Sequence, residues 1–362
     1  MQNIQLSYSL HPASKPRGPI HNPLMALLHA VQAQGSILAA AKNLNLSYRH
    51  VWGELKRWEA ELGENLLVWD KGQAARLSPF GTKLMYAERQ AQARLAPQIE
   101  ALQAELERSF ALAFEAQTQV VSLYASHDEA LSQLRLHCAK QHLHLDITFT
   151  GSVDAIRALN EGRCVMAGFH TTLPALRGTL AQRTYQPLLQ PGLHKIIGFA
   201  KRMQGLILPR GNPHGIKTLA DVRDKNLRLS NRALGTGTRL LLDELLAQLD
   251  IKHSQIVGYR HTEPSHSAVA HAIAQGSADV GIGIQAVAVA MGLDFVPLVQ
   301  ERYDLVCLKT ALLDPTVVSL RKTLQSSAWR KQLDGIHGYQ NENSGKVLSL
   351  TKTLPWWRLD GE

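Results

Sequence analysis

The spacing of apolar positions changes twice along the chain. From Pro23 to Leu62 it is helical. Val51, Leu55, Trp58 and Leu62 recur at threes and fours and form one apolar stripe. Ser36 and Ser47 stand where N-caps belong, Ala39, Ala40 and Ala41 allow a close helix crossing, and Asn43 to Asn45 reads as a tight turn between two short helices. The opposite face of the second helix carries Tyr48, Arg49, His50, Lys56 and Arg57. Residues 66–77 read as a short hairpin around Lys71, Gly72 and Gln73. Ser78 to Gly81 then opens one long helix over 81–115, in which Leu84, Ala87, Ala91, Leu95, Ile99, Leu102, Leu106 and Phe110 make a stripe. Pro97 should kink or divide that helix.

From Gln119 the texture becomes alternating. Val120–Ala125, His144–Thr150 and Cys164–Phe169 read as strands, with helices at Asp128–Lys140 and Val153–Leu159 between them. Such alternation predicts a parallel sheet covered by helices. His194–Ala200 and Gly205–Pro209 read as strands crossing into a second unit. There follow a strand at Leu227–Ser230, a helix at Thr238–Leu249, a strand at Gln255–Tyr259, a helix at Ser267–Ala274 and a strand at Ala278–Ile284. Phe295–Leu298 and Tyr303–Leu308 cross back, and Thr316–Leu333 closes as one helix. A chain that leaves one lobe, builds another and returns has the architecture of a type II periplasmic binding protein, with its ligand between the lobes.

Charge and composition alter this picture only in part. The net charge of +9 fits a polyanionic partner. Residues 1–115 nonetheless carry only two positive charges net and residues 116–362 carry seven, so charge alone does not locate that partner. Cys138, Cys164 and Cys307 are odd in number and far apart, which points to buried thiols in a reducing cytoplasm. No apolar run approaches the roughly 20 residues that span a membrane, and the start of the chain lacks a secretory signal pattern. Among the sixteen histidines, His142 with His144 and the set His261, His266 and His271 have no cysteine or paired carboxylate to complete a site, so no metal is expected.

Four strand-to-helix junctions carry small hydroxyl or glycine residues: Ser126 to Asp128, Thr150 to Ser152, Gly235 to Arg239 and Thr262 to His266. A helix N-terminus offers unpaired N–H groups and a positive dipole end, so four converging on one cleft would bind an anion, helped by Arg232 or Arg239. Each junction taken singly also fits an ordinary N-cap. The glycines around Gly235 lack the third glycine of a dinucleotide fingerprint, and no phosphate-binding lysine follows. Glu263 lies on the same turn as His266, Asp279 reads as a brace, and Trp356 with Trp357 reads as a packing anchor.

Helix, turn, helix, hairpin and long helix is the order of a winged helix-turn-helix, although the basic face also fits an ordinary helical hairpin. Residues 24–83, with "GSILAAAKNLNLSYRHVWGELKRWE" followed by "ARLSPFG", resemble the DNA-binding domain of ModE and LysR-type bacterial regulators, and are closer to the molybdate-responsive ModE group. The resemblance implies that Ser47, Tyr48, Arg49 and His50 enter the DNA groove, with Lys56 on the same face and Lys71 and Arg76 on phosphates. It also implies that the long helix pairs with a second copy, in a homodimer or tetramer; packing on its own winged domain is the alternative.

A second resemblance covers about residues 118–335. "NRALGTGTRLLLDELL", "HTEPSHSAVAHAIAQGSADVGIGIQAVA" and "LDFVPLVQERYDLVCLKT" are similar to the periplasmic-binding-protein-like domain related to molybdate-binding proteins, which is also found fused to molybdopterin-biosynthesis proteins. It implies Ser126, Ser152, Arg232, Thr236, Thr238, Arg239, His266 and Tyr303 as cleft residues. The β-barrel domains that hold molybdate in ModE should be absent, because the chain continues as strand-helix alternation.

The expected fold class is therefore mixed. A flexible arm (1–22) precedes an all-α winged helix-turn-helix (23–80) and a linker helix (81–116). A two-lobed α/β periplasmic-binding-protein-like domain follows (117–362), with lobe 1 at about 117–204 and 299–362 and lobe 2 at about 205–298. The expected function is a cytoplasmic, ligand-responsive, DNA-binding transcription regulator, not an enzyme, with no cofactor and no membrane partner. It would sense a small oxyanion, molybdate or tungstate, or else a molybdopterin-type cofactor or small organic anion. The competing class is an enzyme using Ser126, His127, Asp128, Glu263 and His266 on a small anion, which no nucleophile, metal or cofactor motif supports.

Overall fold

Asn22 accepts the N–H groups of Leu24 and Met25, and Pro23 at the first helical position has none to offer, so helix α1 (Pro23–Gln34) begins there. It ends on Gly35 in the left-handed region (φ 66°). Ser36 caps α2 (Ile37–Asn43) and Ser47 caps α3 (Tyr48–Leu62), each by accepting an N–H three residues on. These facts come from a computed structural model that describes residues 22–68, 75–114 and 118–357. The three helices bury Leu28, Val31, Ala40, Val51 and Leu55 against Leu66 and Leu67, with Trp58 and Leu62 half-buried at the edge. Strand β1 (Leu67–Val68) pairs antiparallel with β2 (Arg76–Leu77). The expected arm and the hairpin tip with Lys71 lie outside the described residues.

Helix α4 (Pro79–Phe114) runs through Pro97 without dividing. A proline removes one N–H from the ladder, and the helical backbone continues on both sides of it. The chain separates into two compact units, Met1–Ala96 and Pro97–Glu362.

The second unit follows the order β3 (Gln119–Ala125), α5 (Glu129–Ala139), β4 (Leu143–Phe149), α6 (Ser152–Asn160), β5 (Met166–Thr172), α7 (Leu180–Tyr185) and β6 (His194–Leu208). It continues through α8 (Leu219–Asp224), β7 (Leu229–Arg232), α9 (Gly237–Gln248), β8 (Thr262–Glu263), α10 (His266–Ala274), β9 (Val280–Ile284), α11 (Gln285–Ala290) and β10 (Asp294–Leu308). It closes with α12 (Pro315–Gln325), α13 (Ser327–Asp334), β11 (Tyr339–Gln340), β12 (Val347–Leu348) and α14 (Leu350–Thr353). The strand order is β4-β3-β5-β10-β6-β9-β7-β8, with β11 and β12 also on β6. Strands β3, β4 and β5 are mutually parallel at one end, and β7, β8 and β9 at the other. The antiparallel pair β6 and β10 joins the two halves.

Three expectations need correction. Each pair of short strands expected at the crossings is one 15-residue strand, β6 or β10. The polar breaks that suggested an interruption lie opposite each other, Lys201 across from Arg302 and Arg202 across from Glu301. Residues Gln255–Tyr259 are not a strand, because Gly258 turns into the left-handed region (φ 80°), where a Cβ would lie 2.4 Å from the Leu229 carbonyl oxygen. The closing helix is two, because Ser326 is extended, ends α12 and caps α13 through the Trp329 N–H. Trp356 is buried, stacks on Tyr185 and donates its indole N–H to the Leu176 carbonyl.

Candidate functional site

In the first unit the polar face of α3 stands in water. Ser47, Tyr48, Arg49, His50 and Lys56 are exposed, and so is Arg76 on β2. Tyr48, 48% exposed, stacks on Trp52 at 6.3 Å, and the Lys56 ammonium lies 5.1 Å from the Trp52 ring. Lys56 also pairs with Glu59, and Arg57 with Glu54. Burial pushes the Glu59 carboxyl up, but the bonds from Lys56 and from the Leu66 and Leu67 amides outweigh it and hold the group below its usual value. Glu59 thus ties α3 to the hairpin base. Among the described residues, no hydrogen bond or ion pair engages the side chains of Arg49 or His50. Ser47 differs from its neighbours in that its hydroxyl is spent on the cap.

In the second unit, the helix N-termini meet the middle of β6 and β10. Asp128 caps α5 with one carboxylate oxygen, and the other accepts from Arg202 and from the Tyr339 hydroxyl. Arg202 also bonds Glu301, its partner across the sheet. Gln204 Nε2 donates to Thr238 Oγ1 at 2.8 Å and to Glu301 Oε1 at 2.9 Å. Tyr303 stacks on His170 at 4.1 Å, and Ser152 Oγ lies 3.2 Å from His170 Nδ1. A Cβ on Gly237 would lie 2.7 Å from the His170 Cβ, so only glycine lets the start of α9 approach that ring.

Arg232 closes this cluster. It is 2% exposed, its Nε and Nη1 have no partner, and among the described residues no ion pair engages it. Burial, joined by the nearby Arg202 and opposed by Asp128, brings the guanidinium down to about 9. His170 and His266 are held well below the ordinary histidine value by burial and then by these two arginines, so both rings are neutral at pH 7. Ser126 Oγ, Thr171 Oγ1, Ser230 Oγ, His170 Nε2, His266 Nδ1 and Gln204 Oε1 are also buried without partners. An uncompensated buried charge costs several kcal/mol, and unpaired buried polar groups cost roughly 1–3 kcal/mol each. An anion at Arg232 would relieve both. The cavity beside His170, bounded by Thr171, Gly237, Glu244 and Glu301, holds about 10 Å³.

Ser126, Ser152, Arg232, Thr238, His266 and Tyr303 thus come together. Arg239 does not: its guanidinium bonds Asp243 one turn along α9 and stacks 4.0 Å from the Tyr259 ring. Thr236 is used as the α9 cap and bonds the Ala233 carbonyl. Glu263 is buried beside His261, and Asp279 binds Arg228. His170, Arg202, Gln204, Ser230 and Glu301 escaped the sequence reading. Their signal was the polar residues inside otherwise apolar strand runs, taken there as strand ends.

Residues 134–325 match the family described as PBP superfamily domain, and residues 24–82 match the lysR family of bacterial regulatory helix-turn-helix proteins. The uncharacterized protein YvgK of Bacillus subtilis is 30% identical over 203 residues, which are 56% of this chain and 65% of that protein. The chain therefore spans just under two thirds of that relative's length. An uncharacterized protein of Clostridium pasteurianum, from the 5′ region of a 2Fe-2S ferredoxin gene, is 35% identical over 30% of this chain and 98% of its own. Among solved structures, full-length CbnR in complex with its target DNA is 18% identical, covering 83% of this chain and 98% of that chain at a TM-score of 0.37. A probable transcriptional regulator from Pseudomonas aeruginosa is 15% identical, covering 83% and 95% at a TM-score of 0.43. Those two likenesses are too distant to assign a function.

Proposed function

The chain belongs to the PBP superfamily and carries a lysR-family regulatory helix-turn-helix, and from that premise we propose a cytoplasmic transcription regulator that binds DNA through α3 and senses a small anion at Arg232. The observation that carries the sensing half is the buried, unpartnered guanidinium set among unpartnered hydroxyls. A compact oxyanion suits that donor set, and molybdate or tungstate is the first choice because of the sequence resemblance to molybdate-related domains and to the ModE group. Ser47, Tyr48, Arg49, His50, Lys56, Lys71 and Arg76 are the proposed DNA contacts. The cleft set is Ser126, Ser152, Arg232, Thr238, His266 and Tyr303, joined by His170 and Ser230.

The cleft also touches the long helix. His127, between the unpartnered Ser126 and the Arg202-binding Asp128, lies 3.1 Å from Glu100 on α4. Arg135 binds Glu107, and Arg108 binds Asp146. Movement of Ser126 to Asp128 on anion capture would therefore load α4. Leu102 (53% exposed) and Leu106 (36%) leave an apolar face on α4 for a second copy. Of the groups an enzymatic reading would use, His127 bonds Glu100 and Asp128 bonds Arg202.

One observation favours a second effector class. Gln204 Oε1 can only accept, so a small organic anion carrying a hydroxyl or amino group would satisfy an atom that molybdate leaves bare. Calorimetric titration with molybdate, tungstate, sulfate and a hydroxy acid separates the two. The oxyanion reading expects binding by molybdate or tungstate that Arg232→Met abolishes. Silence from both metal oxyanions, or unchanged binding in Arg232→Met, would contradict it.

A further inference from the structure

The first unit contains four described glycines, and the fold accounts for three. Gly35 and Gly63 end α1 and α3 in the left-handed region. Gly81 starts α4 where a Cβ would lie 2.3 Å from the Leu66 carbonyl oxygen. Gly53 has neither reason. It sits in the middle of α3, on its exposed side, with no positive φ, and a Cβ there would meet nothing within 4 Å. Glycine at such a position weakens a helix relative to alanine, and nothing among the described residues requires it.

The surroundings show what could. Helical spacing puts Gly53 on the face of Arg49, one turn before, and of Lys56 and Arg57, one turn after. The Tyr48–Trp52 stack stands alongside. The backbone is therefore bare and open at Gly53, with the aromatic pair and the cations Arg49, Lys56 and Arg57 on the same side of the helix, Lys56 paired with Glu59 and Arg57 with Glu54. The gap among those longer side chains is a notch in the helix face.

We propose that Gly53 is a specificity-determining position of the DNA interface, where a base edge in the major groove packs directly on the α3 backbone. The 5-methyl of thymine is the group that suits it, being apolar, small and displayed in that groove. This inference rests on the regulator reading. The cations on either side hold phosphates, and the notch sets how closely the helix approaches the bases.

The full chain is used to select a duplex from a randomised pool, and that duplex is measured by fluorescence anisotropy against wild type, Gly53→Ala and Gly53→Leu, with melting temperatures beside. The selected half-site should carry a thymine. Both variants should melt no lower than wild type, and Gly53→Leu should lose at least about tenfold in affinity with its salt dependence unchanged. Replacing the thymine by deoxyuridine should weaken wild type and restore Gly53→Ala, because the alanine methyl takes the place of the base methyl. The proposal is overturned if folded Gly53→Leu binds within twofold of wild type, or if wild type does not distinguish thymine from uracil. A wild-type chain that selects no duplex removes the regulator reading itself, and this inference with it.

Discussion

On α3, Arg49 stands in water, and Lys56, also exposed, pairs with Glu59, so the proposed DNA contact would displace water from both. In the second unit, Arg232 is sealed from water with two nitrogens unmatched. Both regions offer positive charge to an anion, but removing it has opposite consequences. On the helix, a lost cation leaves the fold untouched and subtracts a salt-screened increment from binding. In the second unit, a lost cation should relieve the fold and would take away the main partner of the proposed anion.

The largest effect expected from that contrast is on Arg232. Arg232→Met should lose at least about a hundredfold in affinity for the cleft anion, in line with the ~3–5 kcal/mol lost when one member of a buried pair is removed. The empty variant should melt higher than wild type, because a buried unpaired charge has gone. A melting temperature that falls would show that Arg232 has a partner and that the cleft is not poised for an anion.

Next comes Arg49→Ala, which should weaken binding to the selected duplex by about tenfold and leave the melting temperature unchanged, since exposed substitutions usually stay within about ±0.5 kcal/mol. Stability and binding would then move together in neither region, but for opposite reasons. A drop in stability with Arg49→Ala would break the contrast. Leu102→Lys with Leu106→Lys should shift the chain toward monomer in sedimentation, and an unchanged mass would place the partner surface elsewhere.

The smallest effect concerns pH. His170 and His266 are depressed in the folded state, so the unfolded chain binds more protons below about pH 6.5. Their contribution is present above that value and is lost as pH falls toward their folded values. Asp304, pushed up to about 6 by burial against the pull of Arg302, acts in the opposite sense, adding stability as pH falls. The informative quantity is therefore a difference. Between pH 7 and 5, His170→Gln with His266→Gln should lose less thermal stability than wild type, by a few degrees. Equal slopes would mean that neither ring is depressed.

The two regions were also unequally legible in the sequence. The helix-turn-helix is built from local signals: Ser36, Ser47, the stripe Val51–Leu55 and the turn at Asn45 each act within a few residues, so spacing alone recovers them. The cleft gathers residues far apart in the chain. Ser126, Ser152, Thr238 and His266 were visible because helix N-termini advertise themselves with small polar residues. Arg202 and Glu301 were not, because each interrupts an apolar strand and becomes meaningful only once β6 and β10 lie side by side. Arg239 is the opposite case: a cation at a helix start suggests a ligand, but its partner Asp243 lies one helical turn on and was within reach of the sequence spacing. Gly53 passed unremarked inside the helical stretch, because its lack of neighbours is a three-dimensional fact.

The most direct test of the account joins both regions in one tube. The affinity of the full chain for its selected duplex is measured with and without molybdate or tungstate, in wild type and in Arg232→Met. The anion should change DNA affinity in wild type and leave Arg232→Met unaffected, with the variant's own DNA affinity intact. An anion that binds wild type without changing DNA affinity, or one that changes both proteins alike, would contradict it.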